Sequence, residues 1–337
     1  MSKMISQLVW RPLNRPEFGL IDAISTLIHH LELSQSNLLT TVRLGPTLFL
    51  SSDFSGQHDL AEYESYSFLI ADLIYLWLWD DMRKEVRSRY LSDKRRMSFK
   101  GLNDAQKRRA LIPFLRSANC IPGLSITLLV DKSIPSLLSS DGKLDMSHPE
   151  YKNYQHWKSH VFEKLLRVAH FAGMLIAGLS APEQNLIWVT DEDEIVPNEQ
   201  RLVEACDVIE HIMNHYLTHK LGRVQFGTTK SDDGSLALED LAAIPDFVAG
   251  AMCDLAPTFV QRARGLSFVV PKDSVEKNKN KVIMDWFADP IHTLKKLVVS
   301  LDYEEGRVIP SCIHFQASNP AKEFFWRKEF LKRIGEI

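Results

Sequence analysis

The chain has 337 residues and a mass of 38.6 kDa, enough to bury a large core in one big domain or two. Its 45% hydrophobic and 25% charged residues and its net charge of −3 exclude a disordered chain and a uniformly basic nucleic-acid binder. Cys120, Cys206, Cys253 and Cys312 are widely spaced with no Cys-x-x-Cys pair, which excludes a zinc ribbon or disulfide framework and points to a reducing cytoplasm.

The first ten residues lack the apolar core and cleavage site of a signal peptide, and the most apolar window, Phe68 to Trp79, is too short to span a bilayer and contains Asp72. No membrane association is expected. Residues 18 to 33 carry Leu20, Ile24, Leu27, Ile28 and Leu31 at helical spacing. Thr47 to Ser52 is a strand that ends at Asp53, where Ser55-Gly56 forces a turn. Ser65 to Asp72 is a second strand, and helical periodicity follows through Met82, Val86 and Tyr90. Arg96 to Lys100 is a candidate short strand. Asn103 or Asp104 caps a helix with Ala110, Leu111, Phe114 and Leu115 on one face.

Leu124 to Asp131 is a strongly apolar strand. A polar loop, 139 to 154, leads to a long helix from about His156 to Leu179. Leu186 to Thr190 is a strand that runs into four consecutive acids, Asp191 to Glu194, before a helix from Pro197 to His219. Val224 to Thr228 is a further strand. Leu236 to Ala243 starts a helix, and Pro245 begins another. Residues 272 to 280 read as a charged loop, and the last sixty residues as helix and irregular structure. Strands alternating with helices predict an α/β fold: a mixed central sheet of five or six strands flanked by helices. The expected organisation is a helical N-terminal extension (1–44), an α/β domain (45–256) and a helical or irregular C-terminal extension (257–337).

Between Arg83 and Arg116 twelve Lys and Arg stand against Glu85, Asp93 and Asp104, a local excess of +9 on an otherwise acidic chain. Such a segment is either a phosphate-backbone footprint or a pair of solvated helix faces. The acids are more suggestive. Asp53, Asp131 and the Asp191–Glu194 run close three strands, the place where open α/β sheets set their chemistry, and Asp246 sits in a helical first turn. Each has a plain alternative: Asp53 as a turn former, Asp131 as a partner of Lys132, the acidic run and Asp246 as complements of helix dipoles. Taken together they suggest carboxylates converging on hard divalent ions, Mg²⁺ or Mn²⁺. A competing set is His211, His215 and His219, four residues apart as zinc ligands require. They lie away from the apolar stripe of their helix, as solvated histidines would.

This pattern resembles the ribonuclease-H-like superfamily. More narrowly, it is similar to a bacterial family of RNase-H-like nucleases with an Asp-Glu-Ser-Gly turn after the first strand and a late Leu-Ala-Asp-Leu-Val-Ala-Gly helix. Here the first signature reads Asp53-Phe54-Ser55-Gly56 and the second Ala242-Ala-Ile-Pro-Asp246-Phe-Val-Ala-Gly250. Val130-Asp131-Lys132 looks like the mid-sheet strand end, and Asp191-Glu192-Asp193 like the acid-bearing end after it. The likeness covers about residues 45 to 256.

The resemblance implies a nuclease using two Mg²⁺ or Mn²⁺ ions. Asp53 would bridge them, Asp191 or Asp193 would complete one shell, Asp246 would hold the other, and Asp131 and Glu192 would be further ligands. Asn198 would orient the acidic loop. Nucleic acid would lie along Arg95, Arg96, Lys100, Arg108, Arg109 and Lys132. Phe54 stands where the family has Glu, so one ligand would be missing. The alternative is therefore a silent RNase-H-like module that binds nucleic acid or a protein partner, with homo-oligomers allowed. A third reading is a His/carboxylate metallohydrolase built on His211 and His215.

Overall fold

The computed structural model describes residues 8–35, 37–135, 144–263, 267–269, 279–289 and 292–316. Among these, α1 spans Leu20–Ser34, β1 Thr47–Ser55, β2 Tyr63–Asp72, α2 Trp77–Tyr90, α3 Ala105–Ala118, β3 Gly123–Asp131, α4 Ser159–Leu179 and β4 Asn185–Thr190. They are followed by α5 Glu199–Tyr216, β5 Val224–Thr228, α6 Ala237–Ala263, β6 Ser267–Val269, α7 Lys279–Phe287, β7 Leu294–Glu304 and β8 Arg307–Gln316. The strands form one mixed sheet in the order β5-β4-β1-β2-β3-β7-β8-β6. β4 is parallel to β1 and β5 to β4, while β2 is antiparallel to both β1 and β3. β7 is parallel to β3. Five strands, β1, β3, β4, β5 and β7, therefore point the same way and end on one edge.

Strand periodicity divides the core. Leu48 and Leu50 of β1 face α4 and α5, in a core with Phe162, Leu175 and Met213. Phe49 faces the other way, into a core with Trp79, Phe114, Phe247 and Trp286 from α2, α3, α6 and α7. α4 is buried on most sides because it is sandwiched between the sheet and α5. On the α6 face, Ser51, Ser65, Ser67 and Ser125 line the strands and are fully buried. Small side chains there let the backbone of α6 come close to β1 and β2. Among the described residues the Ser51, Ser65 and Ser125 hydroxyls have no hydrogen-bond partner, a cost accepted for that close approach.

Three expectations are corrected. Arg96 to Lys100 is not a strand: it is irregular chain leading into a 3₁₀ turn, Lys100–Asn103. Pro245 does not start a new helix, since α6 runs through it. A proline inside a helix loses its own N–H bond, here to the Leu241 carbonyl, and crowds that carbonyl with its ring, a cost that the packing of α6 on the sheet offsets. Nor is the C-terminal part helical or irregular alone. β7 and β8 form a hairpin beside β3, joined by Glu305-Gly306 with φ of 50° and 79°. Positive φ at both residues of a two-residue loop suits the twist of flanking strands. The reading of 272–280 as a loop lies mostly outside the described residues, except that Lys279 and Asn280 begin α7. The 139–154 loop is described from Leu144 onward and includes a 3₁₀ segment, Pro149–Tyr154.

Candidate functional site

β1 brings Asp53 to the edge where the parallel strands end. Its odd-numbered position points its side chain to the α6 face, as for Phe49 and Ser51. On α6, Glu239, Ala243, Asp246 and Gly250 recur every three or four residues and share one stripe. Asp246 thereby meets Asp53, and the two carboxyl groups are hydrogen-bonded to each other. Burial holds Asp53 well above the usual carboxylate range, reinforced by the charges of Asp246 and Asp191. Burial also raises Asp246, and Asp191 adds to it, opposed by the Asp53 hydrogen bond, the Phe99 N–H and the Lys100 charge. Two carboxyls so placed cannot both ionise comfortably, so the pair shares one proton.

Asp191, just past β4, is exposed, and its Oδ1 accepts from the buried Thr229 hydroxyl (3.2 Å). Glu239, 8% exposed, is the site residue that sequence reasoning missed. Burial raises its proton affinity, Arg96 opposes this, and Asp191 adds to it. Arg96 Nη2 lies 2.8 Å from Glu239 Oε1. The Arg96–Lys100 segment thus lies over the acids: Arg96 on Glu239, the Phe99 N–H on Asp246 Oδ2 (2.6 Å), and the Lys100 charge near Asp246. Gly250 makes this possible, because a Cβ there would stand 2.2 Å from the Phe99 ring. Lys279 fixes the other side of Phe99, with Nζ 3.7 Å from the ring centroid and a 3.0 Å bond to the Phe99 carbonyl.

The other expected ligands go elsewhere. Asp193 accepts from the Ile195 and Val196 N–H groups and pairs with Lys164. Glu192 pairs with Lys230, and Glu194 with Lys164. Asp131 is level with Tyr63, whereas Asp53 is level with Ser67 and Thr127, so β3 carries Asp131 four residues past the site. There it caps the Ser133 N–H and faces Asp302. Asn198 caps α5 through the Arg201 N–H. Phe54 points to the opposite sheet face, against Tyr66 and Phe68 with Lys164 above its ring. A glutamate at this position would also leave on that face, so Phe54 does not cost the Asp53 cluster a ligand.

The basic segment is largely spent on internal partners. Arg83, 2% exposed, and Arg87 both bind the fully buried Asp240, and Arg83 also binds Asp80. Arg89 pairs with Glu85, and Arg95 with Asp93 and Asp104. Arg108 donates to the Asn103 carbonyl, and Lys132 to those of Gly56 and His58. Lys100 and Arg109 are exposed. Asp240 thus takes Arg83 and Arg87 into the interior, while Lys84, Arg89, Arg96, Lys100, Arg108 and Arg109 stay exposed. His211 and His215 are exposed neighbours, with the His215 Nδ1 on the His211 carbonyl, while His219 lies beyond α5 against Ser180.

Among the described residues, no three His, Cys, Asp or Glu side chains stand as a ready-made metal cage. Asp53 and Asp246 touch, and Asp191 acts on both through its charge. The fold and site define a mixed α/β protein with a carboxylate cluster where its parallel strands end. No protein-family model and no curated protein matches the chain. No helix among the described residues is long and apolar enough to cross a membrane.

Proposed function

We propose that this protein is a Mg²⁺- or Mn²⁺-dependent phosphodiester hydrolase of RNase-H-like type, with nucleic acid as its substrate. The observation that carries this reading is the hydrogen-bonded Asp53–Asp246 pair with Asp191 nearby. Carboxylates that must share a proton when alone are suited to a hard divalent cation, which takes the proton's place. Asp53, Asp246 and Asp191 would hold the ions, with Glu239 within charge range. Ions bound there would polarise a phosphoryl oxygen and stabilise the attacking and leaving groups. Lys100 is an exposed cation next to this cluster and would meet a substrate phosphate. The strand order supports the same reading, with three antiparallel neighbours, β1 to β3, extended past β1 by parallel β4 and β5.

A second reading, a module that binds without cleaving, draws on the carboxylates not standing as a closed cage. Incubation of the pure chain with labelled single- and double-stranded DNA and RNA in Mn²⁺ separates the two. Cleavage that Asp53→Asn and Asp246→Asn both abolish supports the hydrolase. Retention on nucleic acid without cleavage supports the module, and neither binding nor cleavage overturns both.

A further inference from the structure

We propose that an apolar patch at the opposite end of the sheet, formed by Leu44, Ile74, Tyr75 and Trp77, is the interface through which two copies of this chain pair. These residues are 70%, 57%, 44% and 65% exposed. They belong to two loops clamped together rather than to loose chain. The buried Asp72 accepts from the Gly45 N–H at 2.6 Å through Oδ2 and from the Ile74 N–H at 3.3 Å through Oδ1. A Cβ at Gly45 would lie 2.1 Å from Asp72 Oδ1 and 2.7 Å from Ile74 Cγ2, so the loops meet with no room to spare. Gln184 holds the first loop from behind, donating to the Val42 and Gly45 carbonyls. The 3₁₀ turn Leu73–Tyr75 then feeds α2, whose first residue is Trp77.

A fixed backbone that presents Trp, Tyr, Ile and Leu to water has the composition of an interface centre. With large side chains contributing on the order of 150–250 Å² each, these exposures amount to roughly 400–500 Å² of apolar surface. That is in the middle of the ~300–600 Å² range for the largest patch on a monomer. Two such patches face to face would bury about 800–1,000 Å², which reaches the ~1,000 Å² floor of a specific interface. A second copy is the occupant that supplies a matching apolar surface of the same size. Self-apposition also meets no single-sign repulsion, because the next residues on the solvent side of α2 are Asp81 and Lys84. The patch lies beside the start of β1 and Asp53 near its end, about 20 Å apart along the strand, so pairing leaves both carboxylate clusters open.

Sedimentation equilibrium of the full chain over a wide concentration range tests this. The expected result is a mass rising from 38.6 kDa towards twice that value. Trp77→Glu and Ile74→Glu should stay at the monomer mass with unchanged circular dichroism. Val203→Glu, at a 62% exposed apolar residue on α5, should still dimerise. A monomer at every concentration overturns the proposal and leaves the patch to another partner or to residues 317–337. A dimer that survives both patch variants overturns it as well.

Discussion

The ion cluster joining α2 to α6 allows a worked stability test. Asp240→Asn removes the carboxylate that pairs with Arg87 and leaves Arg83, 2% exposed, with Asp80 and the Ser235 carbonyl. Asp240 is fully buried and receives guanidinium bonds at 2.6, 2.6 and 3.3 Å. Breaking one side of such a buried pair costs about 3–5 kcal/mol. Burial raises the proton affinity of Asp240 more than the arginines lower it, so part of that cost is recovered when the charge goes. The expected loss is therefore at the lower end, about 3 kcal/mol. For a chain of 337 residues, unfolding with ~2.1 cal/mol/K of entropy per residue, that is a fall in Tm of roughly 4 °C, measured by differential scanning calorimetry, with urea unfolding giving the free energy itself. A loss below about 1 kcal/mol, the value of an exposed pair, would refute the reading of this basic segment as an internal clasp.

Burial raises Asp53, Asp246 and Glu239, and for a carboxyl raised by folding the stabilising contribution is present below its unfolded pKa, about 4, and is lost as pH rises through the folded value. Without metal, Asp53→Asn should therefore be more stable than wild type at pH 8, with the difference shrinking towards pH 4 in thermal melts. An unchanged difference across that range would contradict the shared proton. Gly250→Ala should push Phe99 off α6, take its N–H from Asp246 and cost about 1–3 kcal/mol by urea unfolding. Phe54→Glu should leave Mn²⁺ affinity within about twofold by calorimetric titration, a difference of ~0.4 kcal/mol, because position 54 faces α4 and α5.

Much of the fold was legible because its strands are short apolar runs with clear ends. β1, β3, β4 and β5 begin or end within a residue or so of the expected positions, apart from the extra length of β1 past Asp53. Asp53, Asp191 and Asp246 were also within reach, since a strand end or a helix turn sets where each side chain goes. Glu239 was hidden by Pro245. Ending the helix there severs the seven-residue spacing that places Glu239 and Asp246 on one stripe. Asp131 shows the opposite failure: strand ends are not level, and only register tells how far β3 overshoots. Linear charge counting could not show which cations are paired, because Asp240 and Glu239 lie more than 130 residues from Arg83, Arg87 and Arg96. The β7–β8 hairpin did leave a signal, Glu305-Gly306 between β-branched runs, which reading the tail as helix passed over.

The central claim is that Asp53 and Asp246 form a divalent-cation site, and metal-dependent thermal stability tests it most directly. Mn²⁺ at a hundred times its Kd should stabilise the native state by about 2.7 kcal/mol. The expected result is a Mn²⁺-dependent rise in Tm for wild type that Asp53→Asn and Asp246→Asn both lose. A wild-type Tm indifferent to Mn²⁺ and Mg²⁺, or a rise that both variants keep, would contradict it.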